Sequence, residues 1–132
     1  MKQIVYVVDD DEDDRFFAQE GLNEHADCEV FFFANGEELL AGLEIAPELP
    51  TLILLDLNMP RMNGFEALTA LKRHPEWKSI PVIILTTSSR PADREEALSL
   101  GAAAFLTKPA DFVHLVELLA AVSPCWDHSP DQ

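Results

Sequence analysis

Thr51-Leu52-Ile53-Leu54-Leu55-Asp56-Leu57-Asn58-Met59-Pro60 decides how the rest of the chain is read. Leu52 to Leu55 show no alternation of polar and apolar residues, the pattern of a strand covered on both faces, as in a parallel sheet. The run stops at a carboxylate. Pro60 has no N–H to give a sheet, and Asn58, Asn63 and Gly64 favour turns. Asp56 therefore stands where a central strand ends and the chain leaves the sheet, the edge at which open α/β sheets bind ligands. A lone aspartate after a strand is also an ordinary helix cap or solvated turn residue, so the surrounding chain has to decide.

Working outward, the same strand-then-helix unit recurs. Ile4 to Val8 form a β-rich run that ends in Asp9 to Asp14, with a helix starting near Asp13 and turning Phe17, Ala18, Gly21 and Leu22 inward. Acidic residues suit the first turn of such a helix. Residues 29–34 read as a second strand, Asn35-Gly36 as a turn, and Leu39, Leu40 and Leu43 as the buried stripe of a second helix. After the opening stretch, Gly64 starts a third helix with Phe65, Leu68 and Leu71 inward, and Pro75 ends it. Residues 80–86 form strand four, with Pro81 tolerated at its beginning. A weakly amphipathic helix opens at residues 88–91 and stops at Gly101. Residues 103–107 are strand five, and Phe112, Leu115, Val116, Leu119 and Val122 mark helix five.

Composition bounds the function. With 24 acidic against 9 basic residues, the 132-residue chain carries a net charge of −15. Phosphate contacts need clustered Lys and Arg, so a nucleic-acid partner is excluded. No apolar run is long enough for a membrane span, no signal peptide is visible, and two cysteines make neither a disulfide scaffold nor a metal motif. A cytoplasmic protein is expected, with Cys28 at a strand edge and Cys125 an exposed thiol. The expected organisation is one domain over residues 1–122, followed by a polar, frayed tail over 123–132. His25, His74, His114 and His128 are scattered and read as surface residues.

Five strand–helix units are too few for a closed eight-fold barrel and predict an open flavodoxin-like (βα)5 parallel sheet with helices on both faces. The strand order expected for it, 2-1-3-4-5, is the one known for open sheets of that kind, where it occurs in a chemotaxis response regulator. In that order strands one and three are neighbours, so Asp9, Asp10 and Asp56 converge in one crevice. Three carboxylates repel one another unless a cation sits among them, and oxygen-only ligands select a hard divalent ion such as Mg²⁺. Thr86 and Lys108, at the ends of strands four and five, would add a hydroxyl donor and an ammonium. Together with a metal these make a phosphoryl-binding arrangement in which Asp56 is the nucleophile.

The pattern Val-Val-Asp9-Asp10-Asp11, Leu-Leu-Asp56-Leu-Asn-Met-Pro60-x-Met-Asn-Gly64, Thr86 and Lys108-Pro109 resembles the response-regulator receiver domain, over residues 3 to about 122. The resemblance implies a stand-alone regulator of a two-component phosphorelay that accepts phosphate on Asp56 from a sensor histidine kinase or a small phosphodonor. It implies Mg²⁺ held by Asp10, Asp56 and the backbone carbonyl of Asn58, with Asp9 binding it directly or through water. Lys108 would pair with the phosphoryl group, and Thr86 and Phe105 would form the switch. Which of Thr86 and Thr87 faces the site depends on strand register, and the family pattern favours Thr86. The run His74-Pro75-Glu76-Trp77-Lys78-Ser79-Ile80-Pro81 is similar to the subgroup that partners phytochrome-type kinases. The resemblance also implies a cis Lys108–Pro109 peptide, and an output surface of helix four, strand five and helix five that binds a partner or a second copy.

Two other readings fit parts of the chain. Asp9-x-Asp11-x-Asp13 with Glu20 imitates a calcium-binding EF-hand loop, but Asp14 stands where that loop needs glycine, and a strand precedes it. An Asp-nucleophile phosphohydrolase of the haloacid dehalogenase type would want a second acid where Asn58 stands. Asp13 and Asp14 read as the solvated start of a helix.

Overall fold

The computed structural model describes residues 3–24 and 26–126. Ten elements alternate: β1 (Gln3–Val8), α1 (Glu12–Glu20), β2 (Cys28–Phe33), α2 (Gly36–Ile45), β3 (Leu52–Leu55), α3 (Gly64–Arg73), β4 (Val82–Thr86), α4 (Pro91–Ser99), β5 (Ala104–Thr107) and α5 (Phe112–Val122). All strand pairs are parallel and the order is β2-β1-β3-β4-β5. The expected topology is therefore the observed one, and α1 opens slightly earlier than the sequence implied, with Asp11 as its N-cap.

Strand periodicity divides the interior into two layers. Ile4, Tyr6 and Val8 of β1 and Ile53 and Leu55 of β3 join Leu39, Leu43, Leu68, Leu71 and Ala97 from α2, α3 and α4. Val5, Val7, Leu52 and Leu54 point the other way and pack with Ala18 of α1 and Leu115 and Leu119 of α5. All four residues of β3 are buried, as its unbroken apolar run requires. The inner faces of α1 and α5 are narrower than their spacing suggested. Phe17 and Phe112 lie more than a third exposed, with ring centroids 5.5 Å apart, and cover each other instead of the sheet.

Residues 123–126 are not a frayed tail. Trp126 is buried and its indole N–H donates to the Ala18 carbonyl at 2.6 Å. Trp126 bridges Leu22, and Asn23 N–H donates to Cys125 O at 2.6 Å. Cys125 is not an exposed thiol either: it is fully buried and bonded to Cys28, with Cα atoms 5.7 Å apart. Both cysteines are spent on this bond, so cysteine number no longer argues for a reducing compartment. One further expectation differs. No peptide among the described residues is cis, so Lys108–Pro109 is trans, following the ordinary preference of X–Pro bonds. His74 is partly exposed at the surface, where its ring stacks on Trp77 at 3.7 Å and 9°. His25, His128 and the rest of the tail, 127–132, lie outside the described residues.

The Cys28–Cys125 bond spans 97 residues of chain. Closing a loop of that size removes unfolded-state entropy worth at most about 4–5 kcal/mol, and about 2–4 kcal/mol is typical. Reduction, or the double variant Cys28→Ser/Cys125→Ser, should lower unfolding stability by that amount in urea titration. Equal midpoints for the oxidised and reduced protein would show that the bond adds nothing to stability.

Candidate functional site at the carboxyl edge of the sheet

Register builds the site. Val8 pairs with Leu55 across β1 and β3, so Asp9 and Asp56 leave the sheet side by side. Asp56 N–H donates to Val8 O at 3.0 Å and Asp9 N–H to Phe33 O at 2.9 Å, holding both exits to the sheet. Thr86 pairs with Thr107, and Lys108 N–H donates to Thr86 O at 2.6 Å, which brings Lys108 to the same edge. Beyond Asp56 the chain turns sharply. Arg61 takes a left-handed conformation, φ 69°, and Gly64 N–H donates to Leu57 O at 2.9 Å. A side chain at Gly64 would collide with the Asp56 carbonyl and with Leu57 Cα, so glycine is what lets α3 start this close to the strand end.

The Lys108 ammonium is the centre of the crevice. It lies 2.6 Å from Asp9 Oδ2, 2.8 Å from Asp14 Oδ2 and 3.4 Å from Asp56 Oδ2, with its side chain 6% exposed. The other oxygens of the two buried aspartates accept backbone N–H groups, Asp11 N–H at 2.9 Å on Asp9 and Leu57 N–H at 2.8 Å on Asp56. Asp10 is exposed at the mouth, and one carboxylate oxygen each from Asp9, Asp10 and Asp56 lie within 4.8 Å of one another.

Burial dominates the ionisation. It pushes the Asp9 carboxyl up to about 6 against the pull of Lys108, and neighbouring Asp56 adds to the rise. Asp56 is likewise raised by burial, with Lys108 and the Asn58 and Leu57 amides working against it. Burial pushes Lys108 down, but Asp9, Asp14 and Asp56 together outweigh it and hold the ammonium above its ordinary range. Three carboxylates thus share the Lys108 ammonium, with that of Asp10 close by, and the Arg15 guanidinium donates to the Asp9 carbonyl. The donor set is all oxygen and short of positive charge, which fits a hard divalent ion and no soft one.

The structure places Asp9, Asp56 and Lys108 together and puts Asp10 at the rim. Thr86 is fully buried while Thr87 is exposed, so the register turns Thr86 inward. Asn58 is exposed in the turn after Asp56. Phe105 is buried in the layer beneath α4. Asp14, expected to be a solvated helix residue, is a partner of Lys108. Its signal was its place in the first turn of α1, whose N-terminus opens on the crevice, but acidic residues there also satisfy the helix dipole. The calcium-loop reading fails on geometry, because Asp11 Oδ1 caps α1 by accepting from Asp13 N–H at 2.8 Å.

The linkage of these groups to stability has a definite sign. The folded state binds the Asp9 proton more tightly than the unfolded chain, whose carboxyl titrates near ~3.9. That stabilisation is complete below pH ~4 and is lost as pH rises to about 6. Lys108, whose value is also raised, keeps its contribution throughout this window and loses it only in strong alkali. Without divalent metal, stability should fall by on the order of 1–3 kcal/mol between pH 4 and 6. Asp9→Asn should flatten that fall in urea unfolding at stepped pH; an equally steep fall in the variant would remove Asp9 as its source.

Comparison with known proteins agrees with this geometry. The chain is 32% identical over 130 residues to response regulator Rcp1 of Synechocystis, covering 94% of this chain and 88% of that one. Its fold matches the crystal structure of the phosphorylated cyanobacterial phytochrome response regulator RcpA with a TM-score of 0.88 at 31% identity, over 96% of this chain and 94% of that one. The Mn²⁺-bound form of Rcp1 matches with a TM-score of 0.83 at 31% identity, over 91% of each chain. Residues 5–120 match the family model of the response regulator receiver domain, and the chain belongs to that family.

Proposed function

We propose that Asp56 accepts a phosphoryl group from a sensor histidine kinase of the phytochrome-associated type, in the cytoplasm, where that donor is made. The observation that carries this reading is the single ammonium of Lys108 shared by Asp9 and Asp56 at the carboxyl edge. An Asp56 carboxylate oxygen, Oδ2 once Lys108 has shifted from it, attacks phosphorus, the bond from phosphorus to the donor nitrogen breaks, and its electron pair stays on the donor imidazole, which takes a proton from solvent. Asp10, Asp56 and the Asn58 carbonyl, with Asp9 directly or through water, are the residues to hold Mg²⁺. The ion supplies positive charge against the phosphoryl oxygens as they enter an already negative crevice. Lys108 exchanges part of its carboxylate contacts for a phosphoryl oxygen, and Thr86 donates its hydroxyl to another. The domain acts on itself and turns over no external ester. A phosphohydrolase would need a second acid at Asn58, which amide chemistry cannot supply.

The output surface is α4, β5 and α5. With Phe105 already buried, Thr86 is the half of the switch left to move. Of the charges on α4, Asp93 is taken up by Arg90, while Arg94, Glu95 and Glu96 are exposed and offer both signs for a symmetric contact.

Acetyl phosphate should label the protein only with a divalent metal, and Asp56→Asn should stay unlabelled; labelling in that variant, or in excess chelator, would sink the assignment. Beryllofluoride should raise the sedimenting mass of the unaltered protein toward a dimer and leave Thr86→Ala a monomer. Unchanged mass together with unchanged amide exchange over residues 91–120 would remove this surface from the mechanism.

A further inference from the structure

The loop between β4 and α4 is closed by a ring of hydrogen bonds that the phosphoryl chemistry does not use. Ser88 Oγ donates to Asp93 Oδ2 at 2.6 Å and accepts Arg90 N–H at 3.3 Å. Arg90 grips the same carboxylate with two nitrogens, Nε on Oδ2 at 3.1 Å and Nη2 on Oδ1 at 2.9 Å. The ring is tied to the site at both ends. Ser88 N–H donates to Thr86 Oγ1 at 3.3 Å, and Thr107 Oγ1, one residue before Lys108, donates to Ser88 O at 3.2 Å.

An exposed Arg–Asp pair is ordinarily worth little. Here the Asp93 side chain is 13% exposed and holds three hydrogen bonds, two of them in a fork that fixes direction as well as distance. Arg90, the N-cap residue of α4, has no acceptor with which to cap the helix, and its guanidinium holds Asp93 instead. The Thr86 oxygen is thereby held by an amide whose own position is set by Asp93. The Thr86 hydroxyl proton stays free to donate while its oxygen accepts, so the amide contact opposes only a movement of Thr86 toward a phosphoryl oxygen on Asp56.

We infer that Arg90 and Asp93 are positioning residues that latch Ser88 against Thr86 and so set how much of the resting protein has Thr86 available to a phosphoryl group. The inference rests on the reading of Asp56 as the acceptor. A site whose competent form is only a fraction of the population binds its ligand more weakly by that fraction, and opening the latch restores the difference.

The test is beryllofluoride titration with Mg²⁺, followed by amide NMR, on the unaltered protein, Arg90→Ala and Asp93→Asn, each also combined with Thr86→Ala. Arg90 is exposed, so its variant folds even if Asp93→Asn does not. Arg90→Ala should tighten apparent binding by about three- to tenfold, speed exchange of the Ser88 amide before any analogue is added, and lose its gain in the Thr86→Ala background. A role confined to steadying the end of α4 predicts lower stability and no gain that depends on Thr86. Unchanged affinity in Arg90→Ala, or a gain that survives Thr86→Ala, overturns the latch while leaving Asp56 as acceptor. Should the unaltered protein not take the analogue, the Asp56 reading is what fails; the latch is then judged by Ser88 exchange, and an unchanged rate in Arg90→Ala overturns it.

Discussion

The contact on which the site depends is Lys108 held between Asp9, Asp14 and Asp56. It joins the β1–α1 connection to the ends of β3 and β5, three regions far apart in the chain, through one nitrogen. A buried ion pair is weak evidence for stability, because desolvation offsets much of the attraction. Its value here is geometric. One ammonium, even with the Arg15 guanidinium on the Asp9 carbonyl, cannot neutralise four carboxylates, so the crevice is left short of positive charge. Burial then pushes the Asp9 and Asp56 carboxyls up, an imbalance that added positive charge relieves. A rigid group of oxygens with unmet negative charge, beside an ammonium on a flexible stem, is an arrangement suited to taking up a metal ion and a phosphoryl group together.

The fold supplies the rigidity. β3 is buried on both faces, and β1 beside it sends alternate residues to two separate layers. The exits of the two strands cannot shift without disturbing both. The turn that follows is less free than its polar composition implies, since Leu57 and Met59 are buried and Gly64 sits against the Asp56 backbone. On the other side of the crevice, the β4–α4 loop is held by side-chain hydrogen bonds alone, without a hydrophobic anchor between Thr86 and Asp93. The site therefore has one wall set by packing and one set by hydrogen bonds, and the second is the one that can change cheaply.

The α1–α5 layer is finished by residues beyond α5. Trp126 fills the space under Leu22 and Ala18, and Gly21 makes room for Val116 and Trp126. Cys28, at the first position of edge strand β2, ties this segment back to the sheet. Together they hold the helix that carries Asp14 against the helix that follows Lys108, so a part of the molecule remote from the crevice steadies one of its walls.

Periodicity and strand-end chemistry made the fold and most of the site legible. The apolar run 52–55, the recurring strand–helix unit and acids or a lysine at strand ends were enough to predict five parallel strands, and the meeting of Asp9, Asp56 and Lys108 followed once the strand order known for open sheets of this kind was adopted. These features are local, and their meaning follows from the two-residue repeat of a strand. What sequence spacing could not reveal depends on which surfaces meet. Asp14 looked like any acid in a first helical turn until that turn was placed beside Lys108, just past the end of β5. Cys28 and Cys125, 97 residues apart, carried no sign of pairing, because only the packing of the last turn against β2 brings them within bonding distance. Trp126 looked like part of a polar tail because its neighbours are polar, while its pocket is built by α1. The sequence by itself determined the elements, their order and the residues at their ends. The tertiary structure alone decided which of those residues share a charge, a sulfur bond or a hydrogen bond, since those are set by distance through space and not along the chain.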